Sequence, residues 1–377
     1  MNRIYLDHAA TSPMHPEVVE TFAQALGTIY GNPSSIHSTG RDARKALDEA
    51  RRVFAESIHA NDPEIVFTSG GTEADNMAIF GTAAKKEGKH IITSTIEHHA
   101  VLHACEKLER EGYDVTYLPV DENGLVQAED VKKALRDDTI LVTIMLGNNE
   151  VGTIQPIAEI GELLKDTDVT FHTDAVQAYG ILPIDVEQLN VDLLSVSGHK
   201  LNGPKGIGFL YQRKGTPLEP LLFGGEQERK RRAGTENVPG IKAFAKAVAI
   251  AQEQKEARAA QYMHFKQLFK AVLQQEGVEF SENGANQLPH VLNLSMPGIE
   301  IESFLVNLDL AGISASSGSA CTAGSIDPSH VLVAMFGENA EQSRNSIRFS
   351  FGIGLTEENI KQAAAKTAQI SKRLALQ

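Results

Sequence analysis

The chain has 377 residues, and at about 150 residues per domain this length predicts two or three domains. Lys and Arg total 35 against 49 Asp and Glu, and the net charge of −14 argues against a nucleic-acid coat or a cationic membrane binder as the main role. Two cysteines exclude a disulfide framework and a four-cysteine zinc site, and they are typical of a reducing cytoplasm. The N-terminus has no apolar run that suits a signal peptide, so we expect a soluble cytoplasmic protein.

Short β-branched runs alternate with helical patterns through the first part of the chain. The predicted strands, several of them apolar almost throughout, are Glu64–Thr68, His90–Thr95, Asp114–Leu118, Thr139–Leu146, Val169–Thr173, Val191–Val196 and Gly206–Tyr211. The predicted helices between them are Thr72–Lys86, Ala100–Glu111, Ala128–Arg136 and Ile157–Leu164. This alternation predicts an α/β fold with a mainly parallel sheet, in which ligands bind at the carboxyl ends of the strands.

The pattern changes after Gly240. One long helical pattern runs from about Ile241 to Gln275, and Pro239 suits its start. Beyond it we predict a last helix from about Glu357 and the strands Val278–Ser281, His290–Met296, Ile313–Ser316 and Ser346–Phe351. The sequence therefore predicts a large domain, a long connecting helix and a smaller α+β C-terminal domain, with a cleft between the domains that suits a catalytic site.

Two predicted strand ends carry residues that suggest a chemistry. Asp174 and Gln177 follow one strand, and Asp174 alone is compatible with an ordinary helix N-cap. Lys200 follows the next strand, in the run Ser197-Gly198-His199-Lys200, among small residues and glycines. A lysine that forms a Schiff base and an acidic partner for a pyridine nitrogen are what pyridoxal phosphate requires.

The run Phe67–Asn76 reads as a strand, a glycine turn and a helix. Backbone N–H groups and the positive end of a helix dipole meet at such a point, and Thr72 adds a hydroxyl, so the run is suited to a phosphate. An ordinary capped helix after a flexible turn is the alternative. Beside Asp174 and Lys200, the phosphate interpretation gains weight.

A histidine pair, His98 and His99, follows another predicted strand. Three interpretations stay open. His99 and His103 have the i, i+4 spacing of a zinc site on a helix, although no third ligand is evident. The histidines are alternatively ordinary core or surface residues, or one imidazole stacks on a flat cofactor ring and moves protons near neutral pH.

The two cysteines lie in contrasting surroundings. Cys321 lies in the Ser-, Ala- and Gly-rich run Ser314–Ser325, which we interpret as a mobile loop that carries an exposed, reactive thiol. Cys105 lies in a helical pattern, where a small buried hydrophobic residue is the better interpretation.

Two further features concern basic residues. Arg348 lies in an alternating strand, where an arginine either binds a carboxylate or faces solvent. The consecutive basic residues Arg229–Arg232 form a solvated loop, a phosphate contact or an RNA-facing patch.

Together these motifs resemble the class-V pyridoxal-phosphate enzymes of the NifS/IscS cysteine desulfurase type, nearly end to end. The most specific motif, Ser316–Cys321, resembles the desulfurases with the longer loop. The other matching motifs are Tyr5–Thr11, Gly31–Ser35, Thr68–Glu73, Asn148–Gly152 and Ser197–Lys200. The resemblance implies the fold type I of pyridoxal-phosphate enzymes, with a seven-stranded sheet. It also implies that residues 1–13 join the small domain, so that the large domain spans residues 14–250 and the small domain residues 251–377 together with residues 1–13.

The resemblance also implies how pyridoxal 5'-phosphate is held. Lys200 would be the Schiff-base lysine, Asp174 would pair with the ring nitrogen and Gln177 would contact the phenolic oxygen. His98 would stack on the ring and act in proton transfer, and Asn149 would also contact the cofactor. The residues implied at the phosphate are Gly71, Thr72, Ser197, His199 and, from the neighbouring subunit of a homodimer, Thr235.

For the reaction, the resemblance implies that L-cysteine is converted to L-alanine while Cys321 takes the sulfur as a persulfide. Asn32, Asn149 and Arg348 would orient the substrate, with Arg348 on its carboxylate. No intrinsic metal is implied, although Cys321 could transiently ligate an iron–sulfur cluster on a partner.

The sulfur acceptor is the least determined part of the prediction. The sequence stops soon after its last predicted helix, whereas relatives dedicated to iron–sulfur scaffolds often carry a longer tail, so a tRNA-thiolating enzyme rivals an iron–sulfur scaffold as the acceptor. Contact with a membrane or directly with nucleic acid is not expected. The alternatives are a selenocysteine lyase or another class-V lyase or aminotransferase, and a non-catalytic sulfur-relay module.

Overall fold

A computed structural model describes residues 3–318 and 328–375. Its strands are β1 (Ile4–Tyr5), β2 (Ile65–Thr68), β3 (His90–Ser94), β4 (Asp114–Leu118), β5 (Thr139–Thr143), β6 (Thr170–Asp174), β7 (Leu193–Ser197), β8 (Gly208–Gln212), β9 (Ser281–Glu282), β10 (Val291–Ser295), β11 (Ile313–Ser314) and β12 (Ser346–Ser350). Its α-helices are α1 (Pro16–Thr28), α2 (Ser38–Ser57), α3 (Gly71–Lys85), α4 (His99–Arg110), α5 (Ala128–Ala134), α6 (Ile157–Leu164), α7 (Gln227–Lys230), α8 (Val238–Gln275), α9 (Ile301–Leu310), α10 (His330–Phe336), α11 (Gln342–Asn345) and α12 (Glu357–Leu374).

The central sheet has seven strands in the order β2-β8-β7-β6-β5-β3-β4. Strand β8 runs antiparallel to both of its neighbours, and the other neighbouring pairs are parallel. Strands β2, β3, β5, β6, β7 and β8 are buried at every position. Burial on both faces agrees with the mainly apolar sequences of β2, β5 and β8, whereas β6 also buries polar residues such as His172 and Asp174. The predicted α/β class and the mainly parallel seven-stranded sheet are confirmed.

Most predicted elements lie within a few residues of the observed ones, and two differences are instructive. The strand predicted at Val278–Ser281 is wrong over most of its length, because the Val278 N–H bonds to the Leu273 carbonyl and closes the end of α8. Helices α1 and α2 were not predicted. Both pack against α8, and the Leu47 and Phe54 side chains of α2 are fully buried.

Two large hydrophobic clusters form the core, and the 38-residue helix α8 contributes to both. Its first half packs Phe244 against the central sheet, whereas its second half packs Phe269 among β10, β12 and α12. Strand β1 pairs with β11, and Ile4 belongs to the second cluster. The domain boundaries stay a prediction. No helix within the described ranges 3–318 and 328–375 combines the length and apolar character needed to cross a membrane.

Candidate active site

A cavity of about 540 Å³ lies at the carboxyl edge of the central sheet, next to the ends of β2, β6 and β7. Parallel strands bring their carboxyl ends to one edge, so side chains that are far apart in sequence meet there. Ten of the thirteen predicted site residues line this cavity: Gly71, Thr72, His98, Asn149, Asp174, Gln177, Ser197, His199, Lys200 and Arg348. Their individual roles stay predictions.

The other three predicted site residues are placed differently. Asn32 and Thr235 are exposed and do not line the cavity. Cys321 lies outside the described residues, although Gly318, three positions before it, lines the cavity. The second cysteine, Cys105, is fully buried in α4, and burial raises the pKa of its thiol, so its predicted core position is confirmed.

Lys200 lies in a short 3₁₀ turn that follows β7. Its Nζ donates hydrogen bonds to the carbonyl oxygens of Ala9 at 2.5 Å and Ala10 at 2.9 Å. The Nε2 of Gln177 also donates to the Ala9 carbonyl, at 2.8 Å. The N-terminal segment therefore forms part of the cavity wall and holds the lysine amine, a role that the side-chain pattern alone did not reveal.

Asp174 ends β6 and is 5% exposed. Burial raises the pKa of its carboxyl to about 6, while the Val176 N–H, which donates at 2.8 Å, and the positive charge of Lys200 both lower it. The Asp174 carboxyl is therefore mostly ionised at neutral pH and is suited to pairing with a protonated ring nitrogen.

The start of α3 offers unused backbone donors. Its N-cap residue, Gly70, has no side chain to satisfy the first N–H groups of the helix. A Cβ atom at position 71 would lie only 2.8 Å from Val176 Cγ2, so glycine is needed there for the backbone to pack this closely against Val176. With the hydroxyls of Thr72 and Ser197 along the same cavity, the donor set fits a phosphate group.

Two histidines line the cavity as neutral imidazoles. His98 is the N-cap of α4, and its Nδ1 accepts a hydrogen bond from the Ala100 N–H at 3.1 Å. Burial, followed by the charge of Lys200, lowers the pKa of His98 to about 4. His199 lies 3.1 Å from the Thr11 hydroxyl through Nδ1, and burial lowers its pKa to about 4 as well.

Among the described residues, His330 lies close to His99 and His103, but these three histidines do not form a set of converging metal ligands. The rings of His99 and His103 stack at 5.0 Å, and the ring of His330 lies 4.8 Å from that of His99. Within the described part of the chain, the ligand atoms that come within 4.8 Å of one another belong instead to Asp75, His98 and Asp174.

Arg348 is 3% exposed and lies in the middle of β12. Its Nη1 donates to the Asn149 carbonyl at 2.8 Å, and its Nη2 donates to Asp7 Oδ1 at 2.9 Å. Its Nε has no hydrogen-bond partner among residues 3–318 and 328–375. Arg348 lines the cavity. A buried guanidinium with an unpartnered N–H group is suited to binding a substrate carboxylate.

The basic run Arg229–Arg232 is tied to the rest of the chain at several points. Glu228, which precedes it, is 6% exposed and accepts hydrogen bonds from Arg51 Nη2 at 2.6 Å and Arg51 Nη1 at 2.8 Å. Arg232 Nε donates to Glu73 Oε1 at 2.8 Å. These contacts fix the start of the loop that carries Thr235.

Comparison with known proteins identifies the class. The family model described as aminotransferase class-V matches residues 4–363, and the chain belongs to this family. Its enzymes depend on pyridoxal phosphate, so the predicted resemblance, enzyme class and cofactor are confirmed.

Several relatives are similar over their full length. The putative cysteine desulfurase IscS 1 of Bacillus subtilis (strain 168) is 62% identical over 99% of this chain and 100% of its own. The cysteine desulfurase IscS of Dictyoglomus turgidum is 47% identical over 98% and 95%, respectively. A solved NifS-like protein has a TM-score of 0.90 at 36% identity over 100% of both chains. The solved structure of SspA in complex with cysteine has a TM-score of 0.82 at 39% identity over 92% of this chain and 98% of its own.

Proposed function

We propose that this protein is a cysteine desulfurase that converts L-cysteine to L-alanine and transfers the sulfur to Cys321 as a persulfide. The observation that supports this function most strongly is one cavity that gathers Lys200, Asp174 and Arg348. The first two residues suit pyridoxal phosphate, and the third suits an amino-acid carboxylate. The desulfurase names of full-length relatives agree with the proposal.

The test is turnover with L-cysteine by the purified, cofactor-loaded protein in the presence of a thiol reductant. Alanine and sulfide should appear in equal amounts. A protein that turns over selenocysteine but not cysteine would instead be a selenocysteine lyase. A protein that never binds pyridoxal phosphate would revive the sulfur-relay alternative.

The cavity residues divide into those that hold the cofactor and those that act on the substrate. When bound, pyridoxal phosphate withdraws electrons from the substrate carbon that bears the amino group. Lys200 would bind it covalently and Asp174 would keep its ring nitrogen protonated, with Gln177 at the ring oxygen. Thr72, Ser197 and His199 would bind its phosphate, close to the backbone of Gly71.

The hydrogen bond that His98 accepts indicates whether His98 or Lys200 removes the substrate proton. Its Nδ1 accepts from the Ala100 N–H, so the neutral ring carries its proton on Nε2. The ring is then a donor toward the cavity rather than a base. Lys200 is therefore the better group to remove the substrate α-proton, and His98 is suited to stacking on the ring and donating a hydrogen bond.

Arg348 and Asn149 would orient L-cysteine. We predict that Arg348→Lys raises the KM for L-cysteine about 10- to 100-fold, because a hydrogen bond to a charged group contributes about 1.5–3 kcal/mol and lysine cannot bind a carboxylate with two donors. Steady-state kinetics checks this, with the exposed Arg344→Lys as the control. A fall in kcat with an unchanged KM would contradict the carboxylate role.

The described residues that precede and follow Cys321 in the chain contact residues at or beside the active-site cavity. The Ser316 carbonyl accepts from the Arg348 N–H at 2.7 Å. On the other side, Ser329 Oγ donates to the buried carboxylate of Glu150 at 2.5 Å. Gly318, three positions before Cys321, lines the cavity, and three residues of chain span about 10 Å at most, which supports the proposal that Cys321 acts on the substrate bound there.

We also propose a homodimer in which Thr235 binds the cofactor phosphate of the partner, and Asn32 is proposed as a substrate contact. Both residues are exposed, as residues that act across a subunit interface would be in a single chain. The exposed side chains of Leu222 and Phe223 also offer apolar area that a partner could cover.

Mixed dimers test this arrangement. Thr235→Ala alone should weaken cofactor binding about tenfold, the lower value for losing a hydrogen bond to a charged group. When Thr235→Ala chains are mixed with Lys200→Ala chains, each hybrid dimer should contain one site with an intact Lys200 and an intact Thr235. Half of the sites in the hybrids should therefore recover tight binding of the cofactor. If Thr235 served its own chain, no site would recover.

For the physiological role, we propose sulfur delivery in the cytoplasm to a tRNA-thiolating enzyme, an iron–sulfur scaffold or both. A cysteine persulfide can be passed on directly to a protein thiol. The acidic net charge of −14 agrees with protein acceptors rather than direct binding of nucleic acid. Trapping the persulfide-linked partner of Cys321 by pull-down from cells would identify the acceptor.

A further inference from the structure

The carboxyl group of Asp75 lies close to Asp174 and has no predicted role. Asp75, in the second turn of α3, is 1% exposed and lines the same cavity. One ligand atom each from Asp75, His98 and Asp174 lie within 4.8 Å of one another. Asp75 Oδ1 has no hydrogen-bond partner within the part of the chain that the structure describes.

The groups around Asp75 provide no positive charge to balance an ionised carboxyl. The closest basic group is His172, whose Nε2 lies 3.6 Å from Asp75 Oδ1. Its two ring nitrogens are already within hydrogen-bond distance of the Thr143 hydroxyl (2.8 Å) and the Ser195 hydroxyl (2.9 Å). Burial lowers the pKa of His172 to about 3, so this imidazole is neutral at pH 7.

The remaining neighbour with a carboxyl group, Glu97, is also neutral. It is fully buried, it accepts hydrogen bonds from the Ser94 hydroxyl and the Met145 N–H, and burial raises its pKa to about 8. Asp174 is different, since it has a backbone N–H donor from Val176 and the nearby charge of Lys200. Two buried carboxyls this close disfavour each other's ionisation at neutral pH, so the negative charge is assigned to Asp174.

We propose that Asp75 is a positioning residue that stays a neutral carboxylic acid and donates its proton as a hydrogen bond toward Asp174. The donation stabilises the ionised form of Asp174, which then pairs with the protonated ring nitrogen. Burial, followed by the charge of Asp174, raises the pKa of Asp75 well above its usual range and outweighs a side-chain hydrogen bond with Ser195 that lowers it. The direction agrees with a neutral acid. The inference rests on the proposed role of Asp174.

Three variants test it by properties of the bound cofactor rather than by turnover. Asp75→Asn keeps a neutral donor of the same shape, so the cofactor release rate and the pH midpoint of the cofactor absorbance should stay at the wild-type values. Asp75→Ala and Asp75→Leu remove the donor, so cofactor release should accelerate about 10- to 100-fold, as for the loss of a hydrogen bond to a charged group. The absorbance midpoint should also shift in these two variants.

The outcomes separate this inference from the proposed function. If Asp75 were ionised, Asp75→Asn would remove a charge beside the cofactor and shift the absorbance midpoint by about one pH unit or more, which would overturn the inference. Wild-type cofactor release by a folded Asp75→Ala or Asp75→Leu protein would overturn it as well. If neither apolar variant folds, the midpoint of Asp75→Asn decides alone. An Asp174→Ala control that retains the cofactor normally would instead refute the proposed role of Asp174.

Discussion

Replacing Lys200 by alanine is expected to abolish the covalent attachment of pyridoxal phosphate and to lower alanine formation from L-cysteine by about 10²–10⁴-fold or more, the usual contribution of a positioned proton-transfer group. Lys200 lies in the 3₁₀ turn that follows β7, and its Nζ donates hydrogen bonds to the Ala9 and Ala10 carbonyls at the cavity wall. Alanine there would remove both the proposed attachment point and the proposed base. Borohydride reduction followed by peptide mass mapping measures the attachment directly.

The matched control is Lys205→Ala. Lys205 has the same charge, lies five positions further on and borders the same cavity, but it is exposed. This variant should keep the covalently bound cofactor. Attachment at Lys205 rather than Lys200, or an undiminished rate in Lys200→Ala, would contradict the role proposed for Lys200.

Replacing Cys321 by serine should have an equally large effect on sulfur transfer and none on the cofactor. The alcohol of serine is not ionised near neutral pH and does not form a persulfide, so we expect sulfide release with a thiol reductant to fall about 10²-fold or more, the range seen when a reacting group is removed. The cofactor absorbance should be unchanged because the proposed cofactor contacts lie elsewhere, on residues 71–72, 98, 149, 174, 177, 197 and 199–200.

Cys105→Ala is the control for the thiol. Cys105 is fully buried in α4, and burial raises its pKa, so its thiol is not a nucleophile. This variant should retain sulfur transfer. Full desulfurase activity in Cys321→Ser would contradict the acceptor role proposed for Cys321.

Much of the site was predictable because its chemistry follows strand ends. Asp174 and Lys200 each follow an apolar run that belongs to a parallel sheet, and parallel strands bring their carboxyl ends together. The glycine turn before α3 likewise follows a strand end, that of β2, and reaches the same edge of the sheet. The carbonyls of Ala9 and Ala10 were missed because a backbone contact 190 residues away leaves no side-chain signal.

Asp75 was missed for a different reason, although its signal is present in the sequence. On a helix its neighbours at i−4, i+3 and i+4 are Gly71, Ala78 and Ile79, and all three are buried. A lone carboxylate on an apolar helix face is costly unless it is paired or neutral, so the pattern itself indicates a special role. The missed helices α1 and α2 show another limit, since their packing partner, α8, begins 200 residues after Ser38.

The most direct test of the proposed function locates the sulfur atom. Cofactor-loaded protein is mixed with L-cysteine without reductant, the free thiols are blocked, and peptide masses are measured for the wild type, Cys321→Ser and Cys105→Ala. We expect one extra sulfur on the Cys321 peptide of the wild type and of Cys105→Ala, and none in Cys321→Ser. Extra sulfur on Cys105, or alanine formation with no sulfur on either cysteine, would contradict the account.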